Sequence, residues 1–531
     1  MLPLLVAGAA IIGILIGKLS AVISNEVSSE TRTVPFSEVE YMMMNNKMQA
    51  VMSLINTNYV ETVAIDSLEE VVIADMLSEL DPHSVYIPAK DMKNVTQELK
   101  SNFGGIGVTF TLRDDTVNII SVISGGPSSL LGVMPGDKII KVNGHPFVGD
   151  TLNNEMVMDS LRGDIGTNVK VTIMRGASTE IDFDITRGLI PMRSVEVAYA
   201  ISPGIGYVKI DRFAEKTYEE MILGIAKLMS QGCKSLILDV RGNSGGLLNV
   251  VNRMCDEFLQ EGDLIVYTEG AHQKRQDVLA TGYGKFKDMQ VVVLIDEYSA
   301  SASEILAGAI QDNDRGYIVG RRSFGKGLVQ TQLPLRDGSA IRLTIARYHT
   351  PSGRCIQRPY NKGDKEYYED TYNRYTSGEL FVEDSIKLDK SQKYYTKAGR
   401  EVYGGGGIMP DYFIPRDTTS ASNYLYQLRA KGMVYNFAID YTNSHREQLS
   451  AFDTNKLIKH LRDISFIEEL MTYASKKGLK RGHLVAEERE ILEREVRAYI
   501  GRNIHDNEAF YPIFNEEDPA IDKAIELLNG K

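Results

Sequence analysis

The chain has 531 residues, of which 43% are apolar and 24% are charged, so it is predicted to form three or four globular units rather than a disordered polymer. Its formal net charge of −12 argues against a general nucleic-acid-binding protein, because such proteins need clustered lysine and arginine to displace counterions from phosphate.

The first segment bears on location. Residues 2–17 carry no charge, and as a helix they would span about 24 Å, just short of a typical hydrocarbon core. This predicts a signal peptide or a short membrane anchor, followed by a linker, within residues 1–33. We favour an uncleaved anchor with the rest of the chain exported.

Two contrasting regions follow. Residues 34–92 predict an N-terminal helical region, because apolar residues recur at helical spacing up to the breaker Asp81-Pro82. Residues 93–188 alternate short β-rich runs with turn residues and contain two short helical patterns. The second pattern predicts a compact β-rich module with two helices.

The remainder predicts an α/β core and a helical extension. Within residues 189–418, β-rich runs repeatedly precede helical patterns, which is typical of a sheet with strands buried on both faces. Residues 360–403 hold eight tyrosines and show no clear period, so we interpret them as a variable insertion without assigned chemistry. Residues 419–531 return to amphipathic helices. The predicted fold class is therefore multidomain α/β, with a mixed sheet and helices in the core.

The core contains several motifs that could indicate catalysis, and they cannot all be right. Ser244 lies in G-N-S-G-G, a match to the G-x-S-x-G turn of serine hydrolases. That turn needs a downstream acid and histidine, and no later histidine has a recognisable strand-end setting. A tight glycine turn without a nucleophile is the better interpretation.

Two further matches fall in residues 320–327, GRRSFGKG. A phosphate loop would need Ser or Thr after the lysine and a helix opening behind it, but Gly327 follows, and the next residues alternate like a strand. The spacing of Ser323 and Lys326 also fits S-x-x-K, which acts on one helix face, and the neighbouring glycines argue against a helix. We expect neither nucleotide binding nor that dyad.

The segment SASASEILAGAIQD places Ser301 where a buried strand ends and a helix begins. With Glu304 it forms an S-x-x-E capping box, which requires no chemistry. However, small residues on both sides leave room for a substrate backbone, and the first amides of the helix would point at an oxyanion formed there. The position therefore also suits a nucleophile.

A serine nucleophile needs a base, and no histidine lies nearby in the sequence. A neutral lysine can serve, provided that desolvation lowers its pKa from about 10.4 toward about 7. Lys326 lies between two glycines in a strongly apolar neighbourhood, so we select it as the candidate base.

Together these residues resemble the carboxyl-terminal processing peptidases, also called tail-specific proteases, which use a Ser-Lys dyad. The resemblance rests on SASASEILAGAIQD and on FGKG, whose lysine lies 25 residues after Ser301. It is supported by LDPHSVY (80–86), FGGIGV (103–108), GIGYVKIDRF (204–213), LDVRGNSGG (238–246) and GGGGIMPD (404–411).

The resemblance implies a role for each matching residue. Ser301 would be the nucleophile, Lys326 the general base and Gln330 the residue that holds the lysine amine. On an extended strand four residues span about 13 Å, so the role of Gln330 requires a bend near Gly327. The N–H groups of Ala302 and of the Gly245-Gly246 turn would form the oxyanion hole, with Gly246 preferred over Gly245.

The β-rich module resembles an inserted PDZ domain. Its segment Gly104, Gly105, Ile106, Gly107 and Val108 matches the loop whose amides receive a terminal carboxylate, while the adjoining strand edge pairs with the peptide. The implied partners are proteins or peptides with apolar C-terminal tails. By the same resemblance, peptide engagement could align the dyad.

The predicted function is that of a serine endopeptidase that cleaves exported proteins near their C-terminus. The alternative is a catalytically inactive PDZ scaffold that only binds tails. Metal-dependent hydrolysis has no H-E-x-x-H or carboxylate cluster behind it, and we expect neither a metal nor another cofactor. The implied location is a bacterial cell envelope, anchored in the inner membrane and facing the periplasm. It stays open whether the protein forms a homo-oligomer and whether an adaptor protein delivers its substrates.

Overall fold

The computed structural model describes residues 47–530 except 101, 114, 124, 177, 362, 388 and 418–421. The predicted anchor lies outside these residues. The chain divides into two units, Met1–Asp75 and Met76–Lys531. Among the described helices, none is both long enough and apolar enough to cross a membrane.

The described part of the first unit is helical, as predicted. Helix α1 spans Lys47–Asn58, and helix α2 spans Ile65–Ser78 and continues into the second unit. The structure differs from the predicted helical region at Val85–Ile87, which forms strand β1 and pairs antiparallel with a distant strand of the core. Helix α3, Ala89–Lys100, follows. Three residues are too few to show a strand period, so only the distant pairing reveals β1.

The predicted β-rich module forms strands at its β-rich runs and contains both short helices. Its sheet has the order β3-β4-β5-β7-β8, with β6 paired to β5, and β2 pairs separately with β9. Strand β3 is an edge strand, and Ile139, Val169 and Ile173 fill the core below the sheet. The elements are β2 (Asn102–Gly105), β3 (Val108–Arg113), β4 (Thr116–Val122), α4 (Pro127–Leu130), β5 (Lys138–Val142), β6 (His145–Pro146), α5 (Asn154–Leu161), β7 (Asn168–Arg175), β8 (Thr179–Thr186) and β9 (Gly188–Pro191).

A six-stranded sheet organises the core, in the order β10-β11-β12-β15-β16-β21. Strand β10 is antiparallel to β11, and the other pairs are parallel. The elements up to the end of this sheet are β10 (Val195–Ser202), β11 (Ile205–Ile210), α6 (Thr217–Ser230), β12 (Ser235–Asp239), α7 (Leu248–Asp256), β13 (Leu264–Gly270), β14 (Gln273–Leu279), β15 (Gln290–Ile295), α8 (Ala302–Asp312), β16 (Tyr317–Gly320), β17 (Leu328–Pro334), β18 (Ala340–His349), α9 (Asp364–Thr376), a 3-10 turn (Glu383–Ser385), β19 (Lys393–Tyr395), β20 (Glu401–Tyr403) and β21 (Tyr412–Phe413).

This topology brings three loops together. The loops after β12, β15 and β16 contain G-N-S-G-G, S-A-S-A-S and F-G-K-G respectively. Because these three strands are parallel neighbours, their carboxyl ends lie at the same edge of the sheet. A second sheet has the order β1-β18-β13-β14, with β17 also paired to β18, and β17 begins directly after the third loop.

The final region is helical, as predicted, and has its own buried apolar cluster. Helix α14 is interrupted at His505 and Asp506, where the backbone leaves helical geometry. Helix α15 instead packs Ala520, Ile521 and Ala524 with the residues under the core sheet. The helices are α10 (Asn423–Ala430), α11 (Met433–Ser450), α12 (Thr454–Arg462), α13 (Ile467–Lys476), α14 (Ala486–Phe514) and α15 (Pro519–Leu528).

Candidate active site

The three serines of the S-A-S-A-S segment, residues 299–303, have different environments. Ser299 and Ser303 are fully buried, and their hydroxyls donate to the carbonyl oxygens of Val240 and Asn243, both at 2.8 Å. Ser301 is only half-buried. The outer two serines therefore fasten the loop to the neighbouring strand end, and Ser301 is the member that a substrate can reach.

Ser301 has a strained backbone. Its φ of +55° and ψ of −112° lie in a region that residues with a side chain rarely adopt. Such strain costs on the order of 1–3 kcal/mol and persists only where the surroundings fix it. It presents the serine at the start of α8, where Glu304 accepts the backbone N–H of Ser301 while the Ser301 hydroxyl makes no cap hydrogen bond.

The glycine loop after β12 packs directly against Ser301. A Cβ atom on Gly245 would lie 2.7 Å from the Ser301 Cβ and 3.1 Å from the Ala302 nitrogen. A Cβ on Gly246 would lie 2.0 Å from the Phe213 carbonyl oxygen. Both glycines also have positive φ angles, +108° and +145°, so no side chain fits this close approach.

The backbone N–H groups of this loop differ in their partners. The N–H of Gly245 donates to the Asn243 side chain at 2.8 Å. Within the described part of the chain, no protein acceptor takes the N–H of Gly246 or of Ala302. The geometry therefore leaves these two donors in the segments that pack around Ser301, and their assignment to an oxyanion hole stays a prediction.

A single buried carboxylate links the nucleophile segment to the lysine segment. Glu304 Oε2 accepts the backbone N–H of Ser301 at 2.8 Å and that of Lys326 at 2.9 Å. Its Oε1 accepts the hydroxyl of Ser323 and the N–H of Gly325. Burial raises the pKa of Glu304, and these four hydrogen bonds oppose that rise by favouring the ionised form.

A buried tyrosine makes a second link on the carbonyl side. The Tyr348 hydroxyl on β18 lies 2.6 Å from the Lys326 carbonyl oxygen and 3.1 Å from that of Ser301. Tyr348 is 1% exposed, so this shared donor works away from water. The backbones at positions 301 and 326 are thus held together on both their N–H and carbonyl sides.

The pKa of the Lys326 amine is shifted in the direction expected for a lysine that acts as a base. Burial lowers the pKa of Lys326 to about 8, and the charge of Arg342 acts in the same direction. The carboxylates of Glu304 and Asp81 oppose the shift. At neutral pH, about a tenth of the amines would be uncharged and able to accept a proton.

The described residues show no hydrogen bond between the Ser301 hydroxyl and the Lys326 amine. Catalytic hydrogen bonds often tighten only when substrate binds. The amide nitrogen of Gln330 donates to Thr344 Oγ1 at 3.3 Å, and that hydroxyl contacts Asp81 at 3.1 Å. The strand irregularity falls between Val329 and Gln330 rather than at Gly327. The holding role of Gln330 stays a prediction.

The structure also shows where the competing motifs lie. Ser244 is exposed at the tip of the glycine loop. Residues 321–327 form an irregular loop with no helix behind it, and β17 follows. The structure therefore agrees with excluding a phosphate loop and a helical S-x-x-K pair.

Comparisons with known proteins match this architecture. The model of peptidase family S41 matches residues 204–366, a PDZ-domain model matches residues 104–185, and a family of unknown function (DUF8443) matches residues 424–506. The chain is 39% identical over 311 residues to a carboxy-terminal-processing protease of Bartonella bacilliformis, covering 57% of this chain and 70% of that protein. It belongs to the carboxy-terminal processing proteases of peptidase family S41.

Two other similarities concern a relative and a solved structure. The chain is 33% identical over 352 residues to the carboxy-terminal processing protease CtpB of Bacillus subtilis, covering 66% of this chain and 72% of that protein. A photosystem II D1 C-terminal processing protease structure is 27% identical, covers 58% of this chain and 89% of its own, and gives a TM-score of 0.33.

This carboxy-terminal processing protease is a serine-type peptidase with a PDZ domain. The predicted tail-binding segment spans the end of β2 and the start of β3 in that domain. Gly107 has a φ of +79° at the bend between the two strands, and Ile106 is buried. Strand β3 lies at the end of the strand order of its sheet, and within the described residues its paired strand is β4.

Sequence reasoning missed several residues of the protease site. Glu304 was interpreted only as a helix cap, although it also holds the lysine segment. Tyr348 lies in no quoted motif, and Asn243 lies in G-N-S-G-G, where the motif assigned it no role, so neither contribution was found from the sequence. Asp81 and His83 lie in LDPHSVY, which contributed to the resemblance without suggesting a position beside Lys326.

Proposed function

We propose that this peptidase uses Ser301 as nucleophile and Lys326 as general base. The observation that carries the proposal is the shared acceptor Glu304 Oε2, which binds the backbone N–H groups of both residues. This carboxylate is 0% exposed and joins positions 301 and 326. Such a link suits a nucleophile and a base that must keep a constant distance and orientation.

In the first half-reaction, the neutral Lys326 amine accepts the Ser301 proton while Oγ attacks the scissile carbonyl carbon. The negative charge that develops on the carbonyl oxygen would be stabilised by the N–H groups of Gly246 and Ala302. Collapse of the tetrahedral intermediate breaks the C–N bond, and the protonated lysine donates its proton to the leaving amine.

In the second half-reaction, Lys326 is neutral again and takes a proton from a water that attacks the acyl-serine ester. The same oxyanion donors serve this step. The proton then returns from the lysine to Ser301 Oγ as the carboxylic acid product departs. One lysine thus acts as base and acid in turn.

The finer specificity proposed for the enzyme is recognition of apolar C-terminal tails by its PDZ domain. The amides of residues 104–108 would receive the terminal carboxylate, and β3 would pair with the extended tail. The tail would then be held at one domain while the cleaved bond enters the site at Ser301. Export and anchoring through residues 2–17 stay part of the proposal, and protease accessibility of the full chain in intact and permeabilised cells tests them.

The decisive experiment compares the purified wild type with Ser301→Ala and Lys326→Ala, and with Ser244→Ala as a matched control in the adjacent loop. Model peptides that differ only in their last three residues are incubated with each protein, and the products are identified by mass spectrometry. We expect cleavage by the wild type and by Ser244→Ala, a loss of at least about 10³-fold in the two dyad variants, and faster cleavage of peptides with apolar ends. Persistent cleavage by Ser301→Ala would show the nucleophile assignment to be wrong.

A further inference from the structure

The tyrosine-rich insertion has a buried face that the sequence did not reveal. Helix α9 begins two residues before the end of the S41 match at residue 366. On this helix Tyr367 and Arg374 are 3% and 2% exposed, whereas Tyr372 and Tyr375 are 67% and 51% exposed. The helix therefore packs on the core through one face, and that face points at the catalytic region.

Arg374 holds the loop that precedes the candidate base. Its guanidinium donates to the carbonyl oxygens of Ser323 at 2.7 Å and Phe324 at 3.2 Å. An ion pair with Asp370, one helical turn earlier, orients the guanidinium at 2.8 Å. Charged donors to buried carbonyls are strong contacts, so the loop leading to Lys326 is fixed by the insertion.

The same helix holds a second segment, the turn 81–84. The Tyr367 hydroxyl lies 2.8 Å from His83 Nε2, and the Tyr368 hydroxyl donates to the Pro82 carbonyl oxygen at 2.6 Å. The rings of His83 and Tyr367 also meet edge to face, with centroids 5.3 Å apart. Helix α9 therefore contacts both the turn 81–84 and the loop 321–327 around Lys326, which we call the base loop.

The turn forms part of the surroundings of the Lys326 amine. The charged and titratable groups that face the amine are Arg342 on β18, Glu304 on α8, and Asp81 and His83 in the turn. Burial, followed by the nearby Lys326 charge, lowers the pKa of His83 to about 4, so its imidazole is neutral at pH 7. The turn is also bound to β18, because the N–H of Thr344 donates to Ser84 Oγ and the Thr344 hydroxyl donates to Asp81, both at 3.1 Å. A neutral, half-buried imidazole in this turn occupies space near the amine without adding a charge.

We propose that α9 is a positioning element of the active site, in which Tyr367 holds the His83 turn against the base loop and keeps water away from the Lys326 amine. This inference rests on the proposed Ser301 and Lys326 pair. Tyr367 touches neither substrate nor reacting atoms in this scheme, so it is a positioning residue. Its loss should change the proton affinity of the base rather than remove a catalytic group.

The test compares Tyr367→Phe with Tyr372→Phe, an exposed tyrosine on the same helix. For each full-length enzyme, kcat/KM is measured from pH 6 to pH 11 on a peptide ending in three alanines. We expect the rising limb in Tyr367→Phe to move up by about one pH unit, so that kcat/KM at pH 7 falls about tenfold while the alkaline plateau is retained. The Tyr372→Phe profile should superimpose on that of the wild type.

Each other outcome has a defined meaning. An unchanged profile, or an equal loss at every pH, overturns the inference. If Tyr367→Phe does not fold, Tyr368→Phe, which removes only the bond to Pro82, should give a smaller shift in the same direction, and no shift there also overturns it. Measuring Lys326→Ala in parallel separates the two proposals. If that variant still cleaves peptide, the proposed role of Lys326 as general base is itself refuted.

Discussion

Desolvation of the Lys326 amine should lower the stability of the folded protein. We predict that the substitution Lys326→Met reveals this loss. Methionine has a similar length and shape but no charge, so it fills the same space without a buried ammonium. Because the pKa of the lysine falls from 10.5 to about 8 on folding, the native state gives up about 3 kcal/mol of stability below pH 8. The variant is expected to gain up to that amount at pH 7 and to lose all peptidase activity.

The sign of the pH dependence follows from proton binding. Between pH 8 and pH 10.5 the unfolded chain still holds the proton that the folded protein has released. The unfolded state therefore binds more protons, and the stability of the wild type rises with pH across this window. Methionine binds no proton, so the advantage of the variant should shrink across the same window and vanish near pH 10.5.

The assay is urea-induced unfolding of both proteins at pH 7 and at pH 10, followed by circular dichroism. Lys216→Met serves as the control, since Lys216 is an exposed lysine of the same core. A variant that is no more stable than the wild type at pH 7, or whose difference from it does not change with pH, would refute a desolvated amine at position 326. The control should show no such pH-dependent difference.

Three further outcomes are expected. The kcat/KM of the wild type should rise about tenfold from pH 7 to pH 9, because the base is active when neutral and its pKa is about 8; a flat profile would contradict this. Gly245→Ala should lose at least about 10²-fold in kcat, since its Cβ would lie 2.7 Å from that of Ser301, whereas Gly242→Ala, whose φ of +72° is also strained but whose Cβ would meet nothing within 4 Å, should keep most of the activity. Asp312→Ala should lower the unfolding free energy by about 3–5 kcal/mol, because it strands the buried Arg354 guanidinium, and a change under about 1 kcal/mol in urea unfolding would count against that contact.

The sequence by itself determined the parts of this protein that depend on local pattern. The strand-then-helix order predicted an α/β core with strands buried on both faces, and the parallel pairing that brings the loops after β12, β15 and β16 to one edge was seen only in the structure. The strand-to-helix position of Ser301, the apolar neighbourhood of Lys326 and the family resemblance indicated these two residues as candidates, because a nucleophile without a histidine nearby needs another base. The need for glycine at positions 245 and 246 could also be inferred from the sequence, since only glycine permits a backbone approach as close as the one observed.

Only the tertiary structure decided how these parts are held. Glu304 looks like a helix cap from the sequence, and its second role depends on contacts with residues that lie 19 to 22 positions later. The contact of Tyr367 with His83 spans 284 residues and leaves no periodic trace in either segment. Periodicity and capping report interactions within one or two helical turns, whereas desolvation depends on every atom that surrounds a group in space. The proton affinity of Lys326 is therefore a property of the folded chain.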